Sequence, residues 1–201
     1  QNYPITLYAA TGAIVSGHPI ICGGKSTGTS SHSECYHHSK VSNSWNFLTN
    51  MTTIRTASAS VPVNDKLWIL GGYNSVNILA TTEYVSLIGD ASQPGPDLPS
   101  PRAGHCVVKL SNGQVILLGS HHRDGDAEQK SVFIFDPDAE TFEQSLPSLT
   151  YKRFLAGCAV FNSPMHENRA VVLAVGGYQE STAEVLDYSQ PNAKWNESND
   201  V

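Results

Sequence analysis

The sequence predicts an all-β chain built from four similar units, each with four short strands. A short apolar run closed by glycine recurs four times, and the first glycines of the runs stand at Gly23, Gly71, Gly119 and Gly176. Residues that favour turns separate the apolar runs, and no segment has the 3.6-residue apolar period of an amphipathic helix. A repeat of about fifty residues is typical of modular architectures, so the period predicts the fold class before any single residue does.

Composition and charge exclude several classes of function. The chain has 201 residues, of which 40% are hydrophobic, and a formal net charge of -6. This charge argues against general binding to nucleic acid or to an anionic membrane surface, because both need clustered Lys and Arg. No window reaches the roughly 18 apolar residues of a membrane span, and the N-terminus lacks the pattern of an export signal. Because the chain begins at Gln1 and not at Met, that missing signal is weak evidence.

The first two units, about 5–48 and 51–98, align without a gap through their glycine pairs. In unit 1 a Gly/Ser/Thr-rich loop leads into a third strand that begins near Glu34. In unit 2 the third strand is predicted at Thr82–Val85, and matching Glu83 to Glu34 requires one extra residue in the loop before it. The segment 93–99 is rich in Pro and Gly, which predicts a poorly formed fourth strand.

The last two units, about 101–146 and 152–197, repeat this order. Asn112-Gly113 stands between two apolar runs and predicts a hairpin with a type I′ turn, in which both central residues have positive φ. Unit 4 has a longer turn around 163–168, the kind of loop in which repeat folds accept insertions. We treat residues 1–201 as one domain or segment of this repeat.

The four units resemble the kelch repeat over essentially the whole chain. The resemblance rests on an Arg before the first strand, a Gly pair that closes the second, an acidic or aromatic third segment and a Trp or Phe in the fourth. Unit 1 departs from the pattern with Leu7 in place of Arg, unit 2 lacks the fourth-strand aromatic, and Gly119-Ser120 replaces the pair in unit 3. The arginines are Arg55, Arg102 and Arg153.

The resemblance implies a β-propeller in which each unit is one four-stranded blade. Kelch propellers usually have six or seven blades, so four blades imply an arc of a larger ring, completed by further sequence or by a second chain or oligomer. A ring closed by these four blades is the alternative. The fourth-strand aromatic residues are expected to pack between blades: Trp45, Phe142 and Trp195.

Two cysteines are expected to face each other across the β-hairpin of unit 1. Cys22 ends the second strand and Cys35 lies at the start of the third. Cross-strand neighbours are about 4.5–5.5 Å apart, which allows a disulfide. The alternative is two free thiols in an apolar pair, like the pairs predicted at this place in the other units: Leu70/Tyr84, Leu118/Ile134 and Val175/Val185. Cys106 and Cys158 lie on the first strands of neighbouring units, and we expect them to be too far apart to bond.

A disulfide between Cys22 and Cys35 would place the protein in an oxidising compartment, so we predict a secreted, extracellular protein. Two sequons, Asn50-Met51-Thr52 and Asn196-Glu197-Ser198, then become candidate N-glycosylation sites. The resemblance also makes the three arginines candidate binding residues for acidic ligands on a central face. The alternative is that they make structural bonds to neighbouring blades.

No metal, cofactor or catalytic centre is predicted. His37-His38 lies on a strand, where adjacent side chains point to opposite faces, and His121-His122 has no evident third ligand. Motifs for nucleophilic, metalloprotease or phosphate-loop chemistry are absent from the sequence. We therefore expect a non-catalytic extracellular module that binds a protein partner through the loops 25–33, 121–129 and 163–168. The alternatives are an intracellular substrate adaptor and an accessory domain of an enzyme.

Overall fold

The computed structural model of the chain describes residues 2–28, 30–89, 91–121, 129–143, 146–190 and 192–198. They form two compact units, Gln1–Ala103 and Gly104–Val201. Each unit contains two antiparallel sheets of four strands in sequential order. The prediction of an all-β chain with four four-stranded sheets is therefore confirmed.

The first unit holds sheets 1 and 2, in which hairpins join strands that are neighbours in sequence. Strand β8 has two residues, Gln93–Pro94, as the Pro/Gly-rich segment predicted. The strands of sheet 1 are β1 Thr11–Val15, β2 His18–Cys22, β3 Glu34–Ser39 and β4 Ser44–Asn50, and those of sheet 2 are β5 Ala59–Val63, β6 Lys66–Leu70, β7 Thr82–Ser86 and β8.

The second unit holds sheets 3 and 4, and a 3₁₀ turn at Pro164–His166 occupies the long turn predicted in unit 4. The strands of sheet 3 are β9 Cys106–Lys109, β10 Val115–Leu118, β11 Val132–Asp136 and β12 Thr141–Glu143, and those of sheet 4 are β13 Gly157–Ser163, β14 Arg169–Val175, β15 Ala183–Leu186 and β16 Asn196–Glu197.

The hairpin predicted at Asn112-Gly113 is present, but its predicted turn type is wrong. Of the two central residues, only Gly113 has positive φ, at 92°. A hydrogen bond from Leu110 N to Gln114 O, 2.8 Å long, closes a wider loop. The geometry expected there occurs instead between β5 and β6, where Asn64 and Asp65 have φ of 51° and 57°.

Cys22 lies opposite Cys35 in the sheet register, as predicted. The matching pairs predicted in the other three sheets are wrong by two residues. Leu70 faces Thr82, Leu118 faces Val132 and Val175 faces Ala183.

The error came from matching Glu34 with Glu83. Gly23 N donates to Glu34 O, at 3.0 Å, and Gly71 N donates to Thr81 O, at 3.2 Å. Glu34 therefore occupies the place of Thr81, and Tyr36 occupies the place of Glu83. For aligning the third strands, matching residue types was therefore less reliable than counting from the glycine that follows the second strand.

Each unit has its hydrophobic core between its two sheets. In the first unit β1 packs beside β5, and in the second β9 packs beside β13. Alternate residues of the second strands point into the core, as the two-residue period of a strand requires: Ile20 and Cys22, Leu67 and Ile69, Ile116 and Leu118, and Val172 and Ala174. The first core is Val15, Ile20, Cys22, Cys35, Met51, Leu67, Ile69 and Val85, and the second includes Val108, Ile116, Leu118, Val132, Val172, Ala174 and Leu186.

The three fourth-strand aromatic residues have different roles. Trp195 is buried in the core between sheets 3 and 4, and its Nε1 donates to Pro147 O at 2.9 Å. Trp45 contacts Tyr3 and His38 beside its own sheet. Phe142 stacks on the neighbouring strand, with its ring centroid 4.6 Å from that of Phe135. The expected packing between sheets is thus found for Trp195.

The glycine that follows β10 is required by its backbone and by its neighbour. Gly119 has φ of 70°, and a Cβ placed there would lie 2.5 Å from Arg153 O. Gly23 repeats this arrangement against Arg55 O, also at 2.5 Å. The recurrent glycine therefore lets the next arginine segment approach the end of the second strand.

We predict that Gly119→Ala lowers the free energy of unfolding by about 3 kcal/mol, because a left-handed conformation costs about 1–2 kcal/mol and the backbone contact adds to it. Urea denaturation would measure the change. Gly113→Ala is the control, since Gly113 has φ of 92° and no atom within 4 Å of an added Cβ. Equal losses in the two variants would show that the close approach contributes nothing.

Candidate functional site

A buried ion pair lies where the chain enters sheet 4. Arg153 Nε donates to Glu184 Oε1 at 2.9 Å, and both side chains have no exposed surface. Arg153 Nη1 donates to the carbonyl oxygens of Gly176 and Thr182, at 2.7 and 2.9 Å, and Nη2 donates to Thr182 Oγ1 at 3.0 Å. Thr150 N donates to Glu184 Oε2 at 2.8 Å. The pair thus ties the segment before β13 to the ends of β14 and β15.

The same arrangement recurs at sheet 2. Arg55 Nε donates to Glu83 Oε1 at 2.7 Å, and its Nη1 donates to Gly71 O and Thr81 O, both at 2.8 Å. Glu83 Oε2 accepts from Thr52 N at 2.7 Å, which matches the bond from Thr150 in the second unit. Equivalent atoms therefore make equivalent bonds in two sheets whose sequences otherwise differ.

The Glu83 carboxyl is held in its charged form. Burial alone would raise the pKa of Glu83, but hydrogen bonds from Ser92, Arg55 and Thr52 outweigh burial and hold the pKa below its ordinary value. Ser92 Oγ donates to Oε2 at 2.6 Å. A charge buried in this way stabilises the fold only while its partners are present.

Sheet 1 lacks both residues of the pair, and sheet 3 lacks only the glutamate, since Arg102 stands at its arginine position. Leu7 stands in place of the arginine of sheet 1, and Tyr36 stands in place of the glutamate. In sheet 3, Phe133 faces Leu117 as Glu83 faces Ile69 in sheet 2. Sheet 1 has instead the disulfide between Cys22 and Cys35 at the adjoining register position.

The structure buries all three arginines that the sequence proposed as binding residues, with exposed fractions of 1% for Arg55 and 0% for Arg102 and Arg153. Arg55 and Arg153 make structural bonds, but not to neighbouring blades as the alternative interpretation had it. These bonds lie within their own sheets and not between neighbouring sheets. A role of the arginines in ligand binding stays a prediction. The acidic partners were missed, although a Thr-x-Glu pattern at Thr81–Glu83 and Thr182–Glu184 marks both.

Both pairs of cysteines form disulfides. The predicted bond between Cys22 and Cys35 is confirmed, with Cα atoms 4.1 Å apart across β2 and β3. The expectation that Cys106 and Cys158 are too far apart is wrong, because their Cα atoms are 6.1 Å apart, within the usual range. These two cysteines lie on β9 and β13, the strands at which sheets 3 and 4 meet most closely.

An open cleft of ≈ 730 Å³ lies beside the Arg153–Glu184 pair in the second unit. Three rings form a continuous wall, since the centroid of Phe154 is 4.7 Å from that of His121 and 6.3 Å from that of Tyr178. Thr150, whose N–H the pair holds, also lines the cleft. Sequence reasoning singled out His121 but missed Phe154 and Tyr178.

The backbone frame of the cleft has a counterpart in the first unit. Tyr178 N donates to Phe154 O at 2.7 Å, and Tyr73 N donates to Thr56 O at 2.8 Å. Leu149 N donates to Lys130 O at 2.8 Å, as Met51 N does to Ser33 O at 2.7 Å. Four cleft residues differ from their counterparts: Lys130 from Ser33, Tyr151 from Thr53, Lys152 from Ile54 and Phe154 from Thr56.

The remaining predicted sites lie on the surface. Asn50 and Asn196, the acceptors of the two sequons, are both exposed. Among the described residues, no three His, Cys, Asp or Glu side chains gather where they could hold a metal ion. His122 lies outside the described residues. No helix in the described part of the chain is long and apolar enough to cross a membrane.

Two nematode proteins are similar to the chain. It is 27% identical over 154 residues to the spermatocyte protein spe-26 of Caenorhabditis elegans. This match covers 75% of this chain and 25% of that protein. It is 25% identical over 139 residues to the putative protein tag-53 of the same organism, which covers 64% of this chain and 10% of that protein. The chain therefore spans a quarter or less of these relatives. No family model matches it.

We predict that Glu83→Gln lowers the free energy of unfolding by about 3 kcal/mol at neutral pH. The variant loses the buried negative charge, and the NH₂ group of Gln would face hydrogen-bond donors that the Glu83 carboxylate now accepts from. The depressed pKa of Glu83 means that its stabilisation is present above the unfolded pKa of about 4.3 and is lost as pH falls through the folded value. Urea denaturation from pH 7 to pH 3 would therefore show a steeper fall for the native chain than for the variant.

The control is Glu167→Gln, which removes an ion pair between Arg169 and an 83% exposed glutamate side chain. It should cost less than about 1 kcal/mol. Parallel pH profiles for Glu83→Gln and the native chain would contradict the role assigned to Glu83.

Proposed function

We propose that the chain is a segment of an extracellular kelch-type β-propeller that acts as a non-catalytic protein-interaction module. The observation that carries the proposal is the pairing of all four cysteines, because stable disulfides are typical of secreted proteins and rare in the cytosol. The same observation weighs against the intracellular adaptor.

The kelch assignment is supported by the order of the repeated features. Each of the four sheets follows the succession of strands that the repeat predicts. In sheets 2 and 4 the arginine, the closing glycine and the third strand are joined by equivalent hydrogen bonds. Because the same contact recurs, the residues that make it recur in the sequence at the same places. We therefore propose that each sheet is one blade.

Exposed apolar side chains on sheets 1 and 4 support a larger ring. On sheet 1, Ile14 and Phe47 point away from the core with exposed fractions of 63% and 55%, and on sheet 4, Val175 is 42% exposed. Blades of a propeller bury such faces against their neighbours. We propose that further blades, from the same polypeptide or from a second chain or oligomer, cover them.

The protein partner is proposed to bind the loops between strands, since loops on a rigid scaffold carry recognition in many folds. In the loop 163–168, Met165 is 76% exposed. Loop 25–33 is described except for residue 29, and residues 122–128 of the loop 121–129 lie outside the described residues. The exposed Asn50 and Asn196 are proposed to carry glycans.

We predict that material secreted from animal cells has no free thiol before reduction, which intact-mass analysis after alkylation would test. Glycosidase treatment should lower the mass, and Asn50→Gln and Asn196→Gln should each remove one glycan. Free thiols in all four positions would contradict an extracellular protein.

The interaction itself is tested by binding of the secreted chain to intact cells. Met165→Ser should weaken binding and leave the melting temperature unchanged, whereas Val41→Ser, at a fully exposed turn of sheet 1, should change neither. Binding that persists after substitution of all three loops would contradict a loop interface.

A further inference from the structure

We propose that the disulfide between Cys106 and Cys158 is a redox-sensitive bond, which a dithiol reductant opens without unfolding the chain. The disulfide between Cys22 and Cys35 resists the same reductant. The inference goes beyond the proposed function, because it concerns the chemistry of one bond within the second unit. It requires neither a protein partner nor further blades.

The two disulfides differ in their exposure to solvent. Cys22 and Cys35 both have an exposed fraction of 0% and belong to the core of the first unit. Cys106 and Cys158 are only partly buried, and they pack against the core of the second unit. A thiolate must reach a sulfur atom to open a disulfide, so a buried bond reacts only after the surrounding sheet has opened. Partial exposure therefore favours attack at Cys106 and Cys158.

The two disulfides also join different parts of the fold. Cys22 and Cys35 lie opposite each other on β2 and β3, which the hydrogen bonds of sheet 1 already hold together. Cys106 lies on β9 and Cys158 on β13, the first strands of two different sheets. The second disulfide is therefore a covalent link between sheets 3 and 4, and opening it removes no strand from its sheet.

The first unit builds the same junction without a covalent bond. Counted from the glycine that closes each second strand, Thr11 and Ser60 occupy the positions of Cys106 and Cys158. Thr11 Oγ1 donates to Ser60 Oγ at 2.7 Å. Sheets 1 and 2 thus meet through a hydrogen bond between two hydroxyl groups, where sheets 3 and 4 meet through a disulfide. The fold therefore accepts two unbonded polar side chains at this place, and two thiols meet that requirement.

Other contacts keep sheets 3 and 4 together when the disulfide is open. Leu155 N donates to Gly104 O at 2.8 Å, which joins the segments that precede β13 and β9. Ser120 N donates to Arg153 O at 3.0 Å, and both sheets contribute to one hydrophobic core. The two cysteines are 52 residues apart in sequence, so opening the bond releases a long loop in the unfolded chain and lowers stability. The reduced chain is therefore folded but less stable.

The reaction is thiol–disulfide exchange with a dithiol. A thiolate of the reductant attacks one sulfur atom, the S–S bond of the protein breaks and a mixed disulfide forms, while the other cysteine leaves as a thiolate and takes up a proton. The second thiol of the reductant then attacks its own sulfur in the mixed disulfide and releases the remaining cysteine. Two electrons and two protons pass to the protein, which gains two thiols, and the reductant becomes a cyclic disulfide.

The test is reduction of the native full chain with dithiothreitol, followed by alkylation and peptide mass analysis. Cys106 and Cys158 should be alkylated about tenfold faster than Cys22 and Cys35, because only the first pair is open to attack in the folded chain. The circular dichroism spectrum of the chain reduced at the first pair alone should match that of the oxidised chain. Amide hydrogen exchange should become faster in β9 and β13 and stay unchanged in β2.

A double variant, Cys106→Thr with Cys158→Ser, places the hydroxyl pair of the first unit at the junction of sheets 3 and 4. It should remain folded and melt about 10 °C below the native chain, because the cross-link is lost. Dithiothreitol should then cause no further change in hydrogen exchange in β9. A β9 that still responds to dithiothreitol would contradict the role of this disulfide.

The matched control is Cys22→Leu with Cys35→Thr, the residue types that face each other as Leu70 and Thr82 in sheet 2. It should leave the rate at which the other disulfide is reduced unchanged. Equal rates of alkylation at the two disulfides of the native chain would overturn the proposal, and so would loss of the folded spectrum when only the disulfide of the second unit is open. A disulfide there that stays closed until the chain is denatured would also overturn it. These outcomes differ from free thiols in unreduced secreted material, which would bear on the compartment.

Discussion

The buried pair of arginine and glutamate is the constraint on which the second and fourth sheets depend. One guanidinium satisfies the carbonyl that ends the second strand, the carbonyl before the third strand and a carboxylate on the third strand. The carboxylate in turn holds the N–H of the segment that enters the sheet. Removing either partner alone takes the counter-ion from a buried charge. Sheet 1 lacks both residues, whereas sheet 3 keeps the buried Arg102 and has Phe133 at the glutamate position.

The pair also explains how the candidate cleft is positioned. Thr150 and Tyr151 donate to Glu184, and Arg153 lies 6.0 Å from the centroid of the Tyr151 ring. Thr150 and Tyr151 both line the cleft. The buried ion pair thus holds the backbone of the segment that enters sheet 4. The side chains of that segment that do not bond to the pair can differ between the two units. The two units therefore share the hydrogen-bonded backbone frame and differ in the side chains exposed on it.

The repeat made the fold class and strand order accessible from sequence, since glycine spacing and turn chemistry are local signals. Register was less accessible. Matching Glu34 to Glu83 by residue type misplaced three cross-strand pairs, because hydrogen bonding to the glycine sets the register. The bond between Cys106 and Cys158 was missed because it depends on the approach of β9 to β13, which no local pattern encodes. The cleft was missed for the same reason, since its rings come from segments far apart in sequence.

The most direct test of the account is amide hydrogen exchange at Thr150 in a variant with Arg153→Met and Glu184→Leu together. The double substitution removes both charges, so the sheet can remain folded while the entering segment loses its acceptor. We predict that the Thr150 amide then exchanges as fast as exposed loop amides, while the amide of Val172 in β14 stays protected. A Thr150 amide as slow as in the native chain would contradict the role of the pair.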